Sequence, residues 1–247
     1  MCEELFLLMR SRRAVDKQFI AAVSAITASS LLLGCTFLPK ARLTQPTAEG
    51  NLTKAFEWTY GGKTYTWEVP IPAELLEYYT AMPRVRDYSK YVKDGHDDEY
   101  LGLLCDKLSQ AKVESDWSGK IDFMLAFVQS LKYAPDEVTG FDEYPRYPIE
   151  TLAEEGGDCE DTSILFASIV GQLGYGCVLL RFDDSRHMAA GVRVSGDVIA
   201  DWPKGYSLTY YEDDGKYYAY CETTGSGWEI GEKPDWITDT GAVIIHT

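Results

Sequence analysis

The sequence has few basic residues. Its 247 residues include 23 Lys and Arg against 39 Asp and Glu, and the formal net charge at pH 7 is −16. No segment gathers enough Lys and Arg to bind a run of phosphates, and a strongly acidic surface repels polyanions. We therefore expect no nucleic-acid partner. The hydrophobic fraction of 45% is sufficient for one substantial core in a chain of this length.

Motifs that bind metals or nucleotides are also missing. The sequence contains no HExxH or CxxC pattern, which argues against a zinc enzyme, and no glycine-rich phosphate loop follows a predicted strand. The acidic residues Asp158, Glu160, Asp161, Asp183 and Asp184 lack the spacing of an EF-hand, so we expect them to be solvated. The sequence thus predicts neither a cofactor nor a metal site.

No hydrophobic run is long enough to cross a membrane as a helix. The mainly apolar stretch from Phe19 to Leu33 is only 15 residues long, whereas a bilayer core of about 30 Å requires about 20. It follows the basic segment MRSRRAVDK and ends in Leu32-Leu33-Gly34-Cys35, which resembles a prokaryotic lipobox. Residues 1–35 are therefore predicted to be a signal peptide whose Cys35 is lipidated. An ordinary signal peptide or a short anchor is the alternative.

A lipidated signal sequence would export the protein. It would then lie outside the cytoplasm, with the lipid anchored in the cell membrane. We expect translation to start at Met9, because Glu3 and Glu4 would otherwise precede the basic segment. Residues 36–53 are rich in Thr, Pro, Gly and Ala and are predicted to form a flexible tether.

The rest of the chain divides into an N-terminal extension, residues 54–110, and a second domain, residues 111–247. The extension begins with FEWTY-GG-KTYTWEV, in which apolar and polar residues alternate on both sides of a two-residue turn, as in a β-hairpin. This hairpin would place Trp58 opposite Tyr65 and Phe56 opposite Trp67.

Further helices are predicted from the spacing of apolar residues. One follows Pro72, another covers residues 101–108, and Asp116 is positioned to cap a third that carries apolar residues from 121 to 131. Residues 133–150 contain three prolines, and we expect an extended loop there.

One of the four cysteines that follow the signal peptide differs from the others. Cys105, Cys177 and Cys221 lie in apolar runs and are predicted to be buried core thiols, with one disulfide and a spare thiol as the alternative. Cys159 lies instead in the polar segment GGDCEDTS, directly before an apolar pattern typical of a helix.

Cys159 is predicted to occupy the first position of that helix. Asp158 is the expected N-cap and Asp161 the acidic partner of a capping box. The free amides of the first turn would lower the pKa of the thiol, whereas the neighbouring carboxylates oppose the thiolate. A cationic group is therefore needed nearby if the sulfur is to react.

Few histidines are available for that role. Besides His246 near the C-terminus, the sequence has His96, expected in solvent, and His187, which opens the strand-like run HMAAGVRV. A histidine at the start of a buried strand is more often a satisfied core residue. The residues alone therefore leave open whether His187 is a core residue or the cationic partner of Cys159.

The order of these elements resembles the transglutaminase-like superfamily. GGDCEDTSILFASIVGQLGYGCVLLRF, HMAAGV and YYAYCETTG are similar to its three blocks, which carry a cysteine on a helix, a histidine on a strand and an acid on the next strand. The resemblance covers about Ser118 to Trp228 and includes YPRYPIETL before the cysteine. It implies an α+β, papain-like fold in which the nucleophile helix packs on an antiparallel sheet.

The resemblance also implies a role for each matching residue. Cys159 would be the nucleophile, His187 the general base and later the acid, and Glu222 the acid that orients the imidazole. The family usually has Asp at the third position, so Glu222 is a departure, and Asp201 is the alternative orienting residue. The Trp that often precedes the family's cysteine is absent from GGDC. Trp228 is a candidate for the lining of the cleft or for packing.

Three functions are compatible with this sequence. The first is a thiol enzyme that forms an acyl-enzyme from a peptide or amide substrate, with hydrolysis expected rather than transfer to an amine. The second is a catalytically silent surface lipoprotein that binds a peptide or a cell-envelope partner through the same cleft. The third is a scaffold that recruits other proteins through its N-terminal hairpin.

Overall fold

The computed structural model describes residues 41–43, 50–111, 116–136 and 144–247. The strands are β1 (Ala41–Leu43), β2 (Asn51–Tyr60), β3 (Lys63–Pro72), β4 (Lys132–Tyr133), β5 (Gly156–Gly157), β6 (Cys177–Phe182), β7 (His187–Val194), β8 (Tyr210–Asp213), β9 (Lys216–Cys221) and β10 (Val243–His246). The helices are α1 (Ala73–Thr80), α2 (Ser89–Lys93), α3 (Asp98–Gln110), α4 (Trp117–Val128), α5 (Pro148–Glu154), α6 (Cys159–Gln172) and α7 (Gly196–Ala200).

The main sheet is antiparallel and carries a buried helix on one face. Its strand order is β10-β6-β7-β9-β8, and helix α6 packs mainly against the central strand β7. Met188, Ala190 and Val192 of β7 belong to the core on this face, because alternate residues of a strand share a face. The predicted α+β class is confirmed.

The opposite face of the main sheet encloses a second, smaller core. Phe182, Ala189, Tyr220 and Ile237 are buried there. The sheet curls around this core, so its two edges approach each other, and His246 Nε2 of β10 lies 2.8 Å from Asp213 Oδ2 of β8. Residues that alternate with the α6-facing set, such as Ala189, therefore point into an enclosed space.

The N-terminal hairpin forms in the predicted register. Trp58 pairs with Tyr65 and Phe56 with Trp67, and the Trp58 and Tyr65 rings stack with centroids 5.6 Å apart. The aromatic face packs on Phe127 of α4, whose ring centroid lies 5.4 Å from Phe56 and 5.1 Å from Trp58. The hairpin thus shares a core with α4, a helix about 45 to 70 positions further along the chain.

The helices match those predicted from the sequence in part. Asp116 caps α4 by accepting from the Gly119 amide at 2.7 Å, as predicted. The structure adds α2, which the polar sequence did not indicate. Residues 133–150 are not entirely an extended loop, because α5 begins at Pro148. Proline is pre-organised for the first position of a helix, and Glu150 accepts from the Tyr147 amide at 2.9 Å.

The N-terminal predictions lie mostly outside the described residues. The signal peptide, Cys35 and most of the tether belong to that part of the chain. Two strands fall within the predicted tether, because β1 (Ala41–Leu43) pairs with β3 and β2 already begins at Asn51. Over the described ranges, none of the helices has the length and apolar character needed to span a membrane.

Candidate active site

Two glycines fix the start of the cysteine-bearing helix. Strand β5 pairs in parallel with β4, and Gly156 lies opposite Lys132. A Cβ atom on Gly156 would overlap the carbonyl oxygen of Lys132, and one on Gly157 would lie 2.5 Å from Cβ of Asp161. The close approach of the Lys132 backbone to Gly156 and of the Asp161 side chain to Gly157 explains the GG pair before Asp158 and Cys159.

Cys159 opens α6 as predicted. Asp158 is the N-cap, and Asp161 Oδ2 accepts from the Asp158 amide at 3.2 Å in a capping-box arrangement. The half-buried thiol donates to Glu160 Oε2 at 3.3 Å. Burial, then the charges of Glu160 and Asp158, raise the pKa of the thiol well above its usual value. In this arrangement the sulfur is protonated.

His187 is buried and directed by one carboxylate. Its Nε2 lies 3.1 Å from Glu222 Oε2, and the two side chains are 5% and 1% exposed. Trp236 meets the imidazole edge to face with centroids 4.8 Å apart, and Phe182 stacks at 6.4 Å. Since Nε2 faces Glu222, any proton exchange with Cys159 has to use Nδ1.

Every acceptor position of the Glu222 carboxylate is used. Oε2 accepts from the Tyr220 hydroxyl at 2.5 Å in addition to His187, and Oε1 accepts from the Thr224 amide at 2.9 Å and hydroxyl at 2.6 Å. Burial would raise the pKa of Glu222, but the charge of His187 and the four donors lower it below its usual value. Glu222 is therefore an anion despite its burial.

One hydroxyl joins the segments that carry these side chains. Ser163, one turn after Cys159, donates to the Met188 carbonyl at 3.3 Å and bonds the Thr223 hydroxyl at 2.9 Å. The Met188 amide also forms a hydrogen bond with the Cys159 sulfur. Cys159 thus lies beside the residue that follows His187, and Ser163 links helix α6 to β7 and to the segment directly after β9. The direct pairing of Cys159 with His187 stays a prediction.

An acidic group lies next to the thiol. Carboxylate oxygens of Asp136, Asp158 and Glu160 are all within 4.8 Å of one another. Burial and then Glu160 raise the pKa of Asp158 to about 8, and burial raises that of Glu160. Within the described part of the chain, Asp158 Oδ1 is buried without a hydrogen-bond partner. Oxygen ligands of this kind suit a hard cation such as Ca²⁺.

The expectation that these acids are solvated was wrong. Asp158 and Glu160 are only 9% and 8% exposed, and Asp161 is fully buried. Arg146 makes their burial tolerable, because its Nη1 lies 2.5 Å from Asp161 Oδ2 and 3.0 Å from Asp136 Oδ1. Asp183 and Asp184, by contrast, are exposed loop residues.

No family model and no curated protein sequence matches the chain. Part of the chain is similar in structure to LapG of Legionella pneumophila. The EGTA-treated form of LapG is 16% identical, with 65% of this chain and 82% of LapG covered and a TM-score of 0.37. The calcium-bound form is 15% identical, with 69% and 80% covered and a TM-score of 0.35. The function proposed below rests on the residues of this chain.

Neither Asp201 nor Trp228 is the partner in the hydrogen bond at His187 Nε2. Asp201 is exposed at the end of α7, and the carboxylate at His187 Nε2 is that of Glu222. Trp228 is half-buried, and its carbonyl accepts from Gln129 Nε2 at 3.0 Å. The same Gln129 nitrogen donates to the Glu222 carbonyl at 2.7 Å, so α4 holds the loop that follows β9.

The sequence did not identify several residues of this site. Tyr220 could have been identified, since it lies two positions before Glu222 and side chains two apart in extended backbone point to the same side. Asp136, Gln129, Ser163 and Trp236 had none, because contacts across the fold bring them to the site.

Proposed function

We propose that the protein is a cysteine-dependent acyl-transfer enzyme of the transglutaminase-like type. The hydrogen bond between buried His187 and buried Glu222 carries the proposal, because a fixed imidazole–carboxylate pair beside a helix-borne cysteine is the arrangement that activates a thiol. The substrate would be a peptide or another amide.

Each residue has a defined step in this reaction. His187 takes the thiol proton at Nδ1, and the Cys159 thiolate attacks the carbonyl carbon, so that a C–S bond forms as the carbonyl π bond opens. The Cys159 amide, at a helix N-terminus, stabilises the oxyanion. The carbonyl then re-forms and the C–N bond breaks as His187 protonates the leaving amine, and the acyl-enzyme remains. Water, activated by His187, releases the acid and restores the thiol.

The resting thiol has to be released from its acidic neighbours first. Glu160 accepts a hydrogen bond from the thiol, and Asp158 adds a second negative charge beside it. Neutralisation of these carboxylates, by protonation or by a bound cation, would remove the repulsion that opposes the thiolate. We therefore expect the reactive state to be one in which the acidic group is neutralised.

The same observation favours a second candidate function. A thiol that is held protonated by Glu160 fits a catalytically silent surface lipoprotein whose cleft binds a peptide or cell-envelope partner. For either function we propose export, a membrane anchor at Cys35 and a peptide or protein partner.

Acyl-enzyme formation separates the two candidates. The protein is mixed with p-nitrophenyl acetate, with and without Ca²⁺, and its intact mass is followed over time. An enzyme gains one acetyl group on Cys159 and then loses it, whereas Cys159→Ala and His187→Ala do not. Absence of the adduct from the wild-type protein under both conditions leaves only the binding function.

A further inference from the structure

A tyrosine near the end of β9 holds the acid of the proposed triad. Tyr220 lies on β9, and Glu222 is the first residue after that strand. Because side chains two apart in extended backbone point to the same side, the two can meet. The buried Tyr220 hydroxyl donates at 2.5 Å to Glu222 Oε2, the same oxygen that lies 3.1 Å from His187 Nε2. One carboxylate oxygen therefore receives both the phenol and the imidazole.

The Tyr220 hydroxyl acts only as a hydrogen-bond donor towards Glu222. Burial, and then the charge of Glu222, raise the pKa of Tyr220 well above its usual value, so the phenol stays protonated. Its ring is fully buried in the second core, with the Phe182 centroid 6.0 Å away. The donor is therefore held in place by packing.

The length of the Glu222 side chain gives this donor its importance. Glu has one more rotatable bond than Asp, and the extra bond gives the carboxylate more positions to sample. Thr224 restrains Oε1 through its amide and hydroxyl, which leaves Tyr220 to restrain Oε2. Four donors then match the roughly four acceptor sites of a carboxylate.

We propose that Tyr220 is a positioning residue. Its hydroxyl holds Glu222 Oε2 within hydrogen-bond distance of His187 Nε2, and this keeps the imidazole oriented towards Cys159. The contact with His187 stands on geometry alone. Its consequence for Cys159 rests on the proposed function.

The test compares Tyr220→Phe with Tyr218→Phe in the full chain. Tyr218 lies on the same strand and face and is also buried, but the donors to the Glu222 carboxylate are His187, Tyr220 and Thr224. With Ca²⁺ present, Tyr220→Phe should slow alkylation of Cys159 by iodoacetamide at pH 7 about tenfold, the loss expected for one hydrogen bond to a charged group. The acid limb of the rate–pH profile should move to higher pH, because Glu222 loses a donor that lowers its pKa. Tyr218→Phe should change neither.

Two further measurements separate positioning from a merely structural role. In a Glu222→Gln background, Tyr220→Phe should cause no additional loss of alkylation rate, since its effect passes through the carboxylate. The Nε2–H proton of His187, followed by NMR, should exchange faster with solvent in Tyr220→Phe than in wild type or Tyr218→Phe.

The outcomes also separate this inference from the proposed function. An unchanged Nε2–H exchange rate in Tyr220→Phe overturns the inference, whatever the reactivity of Cys159. Slow alkylation of Cys159 in the wild-type protein even with Ca²⁺ present would count against the proposed function, while faster exchange in Tyr220→Phe would still support the positioning of Glu222 and His187.

Discussion

Substitution of Gly156 by Ala tests how the start of α6 is fixed. The added Cβ would overlap the Lys132 carbonyl oxygen, so either β4 or β5 has to move. Overpacking of this kind typically costs about 1–3 kcal/mol, against a gain of about 0.4–1 kcal/mol from the less flexible unfolded chain. We expect a net destabilisation of about 1–2 kcal/mol, or a melting temperature lower by about 2–8 °C in a chain of this size.

Gly171→Ala provides the matched control. Gly171 lies in α6, is exposed, and an added Cβ would have no heavy atom within 4 Å outside the helix's own backbone. The same substitution should therefore stabilise the protein by up to about 1 kcal/mol, because Ala favours the helix. Urea unfolding of both variants gives the two free energies. Iodoacetamide alkylation should be altered only in Gly156→Ala, which displaces the helix start at Cys159.

Equal stability of the two glycine variants would refute the reasoning. It would mean that β4 and β5 separate at no cost, and that the GG pair does not set the position of the nucleophile helix.

Three other perturbations have defined outcomes. Asp97 is 2% exposed, and burial raises its pKa to about 7. The stability of the native state should therefore fall as the pH rises from about 4 through 7, because the buried carboxyl group loses its proton. Asp97→Asn should be more stable than wild type at pH 8 by up to about 4 kcal/mol, and not at pH 4. Millimolar Ca²⁺ should raise the melting temperature, EGTA should reverse the rise, and Asp158→Asn should abolish it, since its buried oxygen lies in the acidic group. Phe127→Ala should cost about 3–5 kcal/mol in urea unfolding because it removes the ring on which the hairpin packs, and a cost below about 1 kcal/mol would contradict that packing.

Local features of the fold were predictable from the sequence. The hairpin register follows from alternation around Gly61 and Gly62, and the caps Asp116 and Asp158 each bond a backbone group within three residues. Their physics involves only neighbours along the chain. For the same reason, α5 could have been found from the proline at its first position.

Features that depend on contacts between residues far apart in the sequence could not be predicted from it. Burial of the acids around Cys159 requires Arg146, whose charge offsets theirs, and the composition of GGDCEDTS alone suggested solvated side chains. Gln129 reaches the Glu222 carbonyl across 93 positions of sequence. The hydroxyl pair of Ser163 and Thr223 spans 60 positions. Each of these contacts exists only after α4, α6 and β9 have packed together.

The rate of Cys159 alkylation at pH 7 tests the central claim most directly. Iodoacetamide is added to the wild-type protein, to His187→Ala and to His96→Ala as a control outside the site, each with and without Ca²⁺, and every cysteine is quantified by peptide mass spectrometry. The account predicts that, with Ca²⁺ present, Cys159 reacts much faster than Cys105, Cys177 or Cys221, and that only His187→Ala removes the difference. Equal and slow labelling of Cys159 and the buried thiols, in every protein and with or without Ca²⁺, would contradict it.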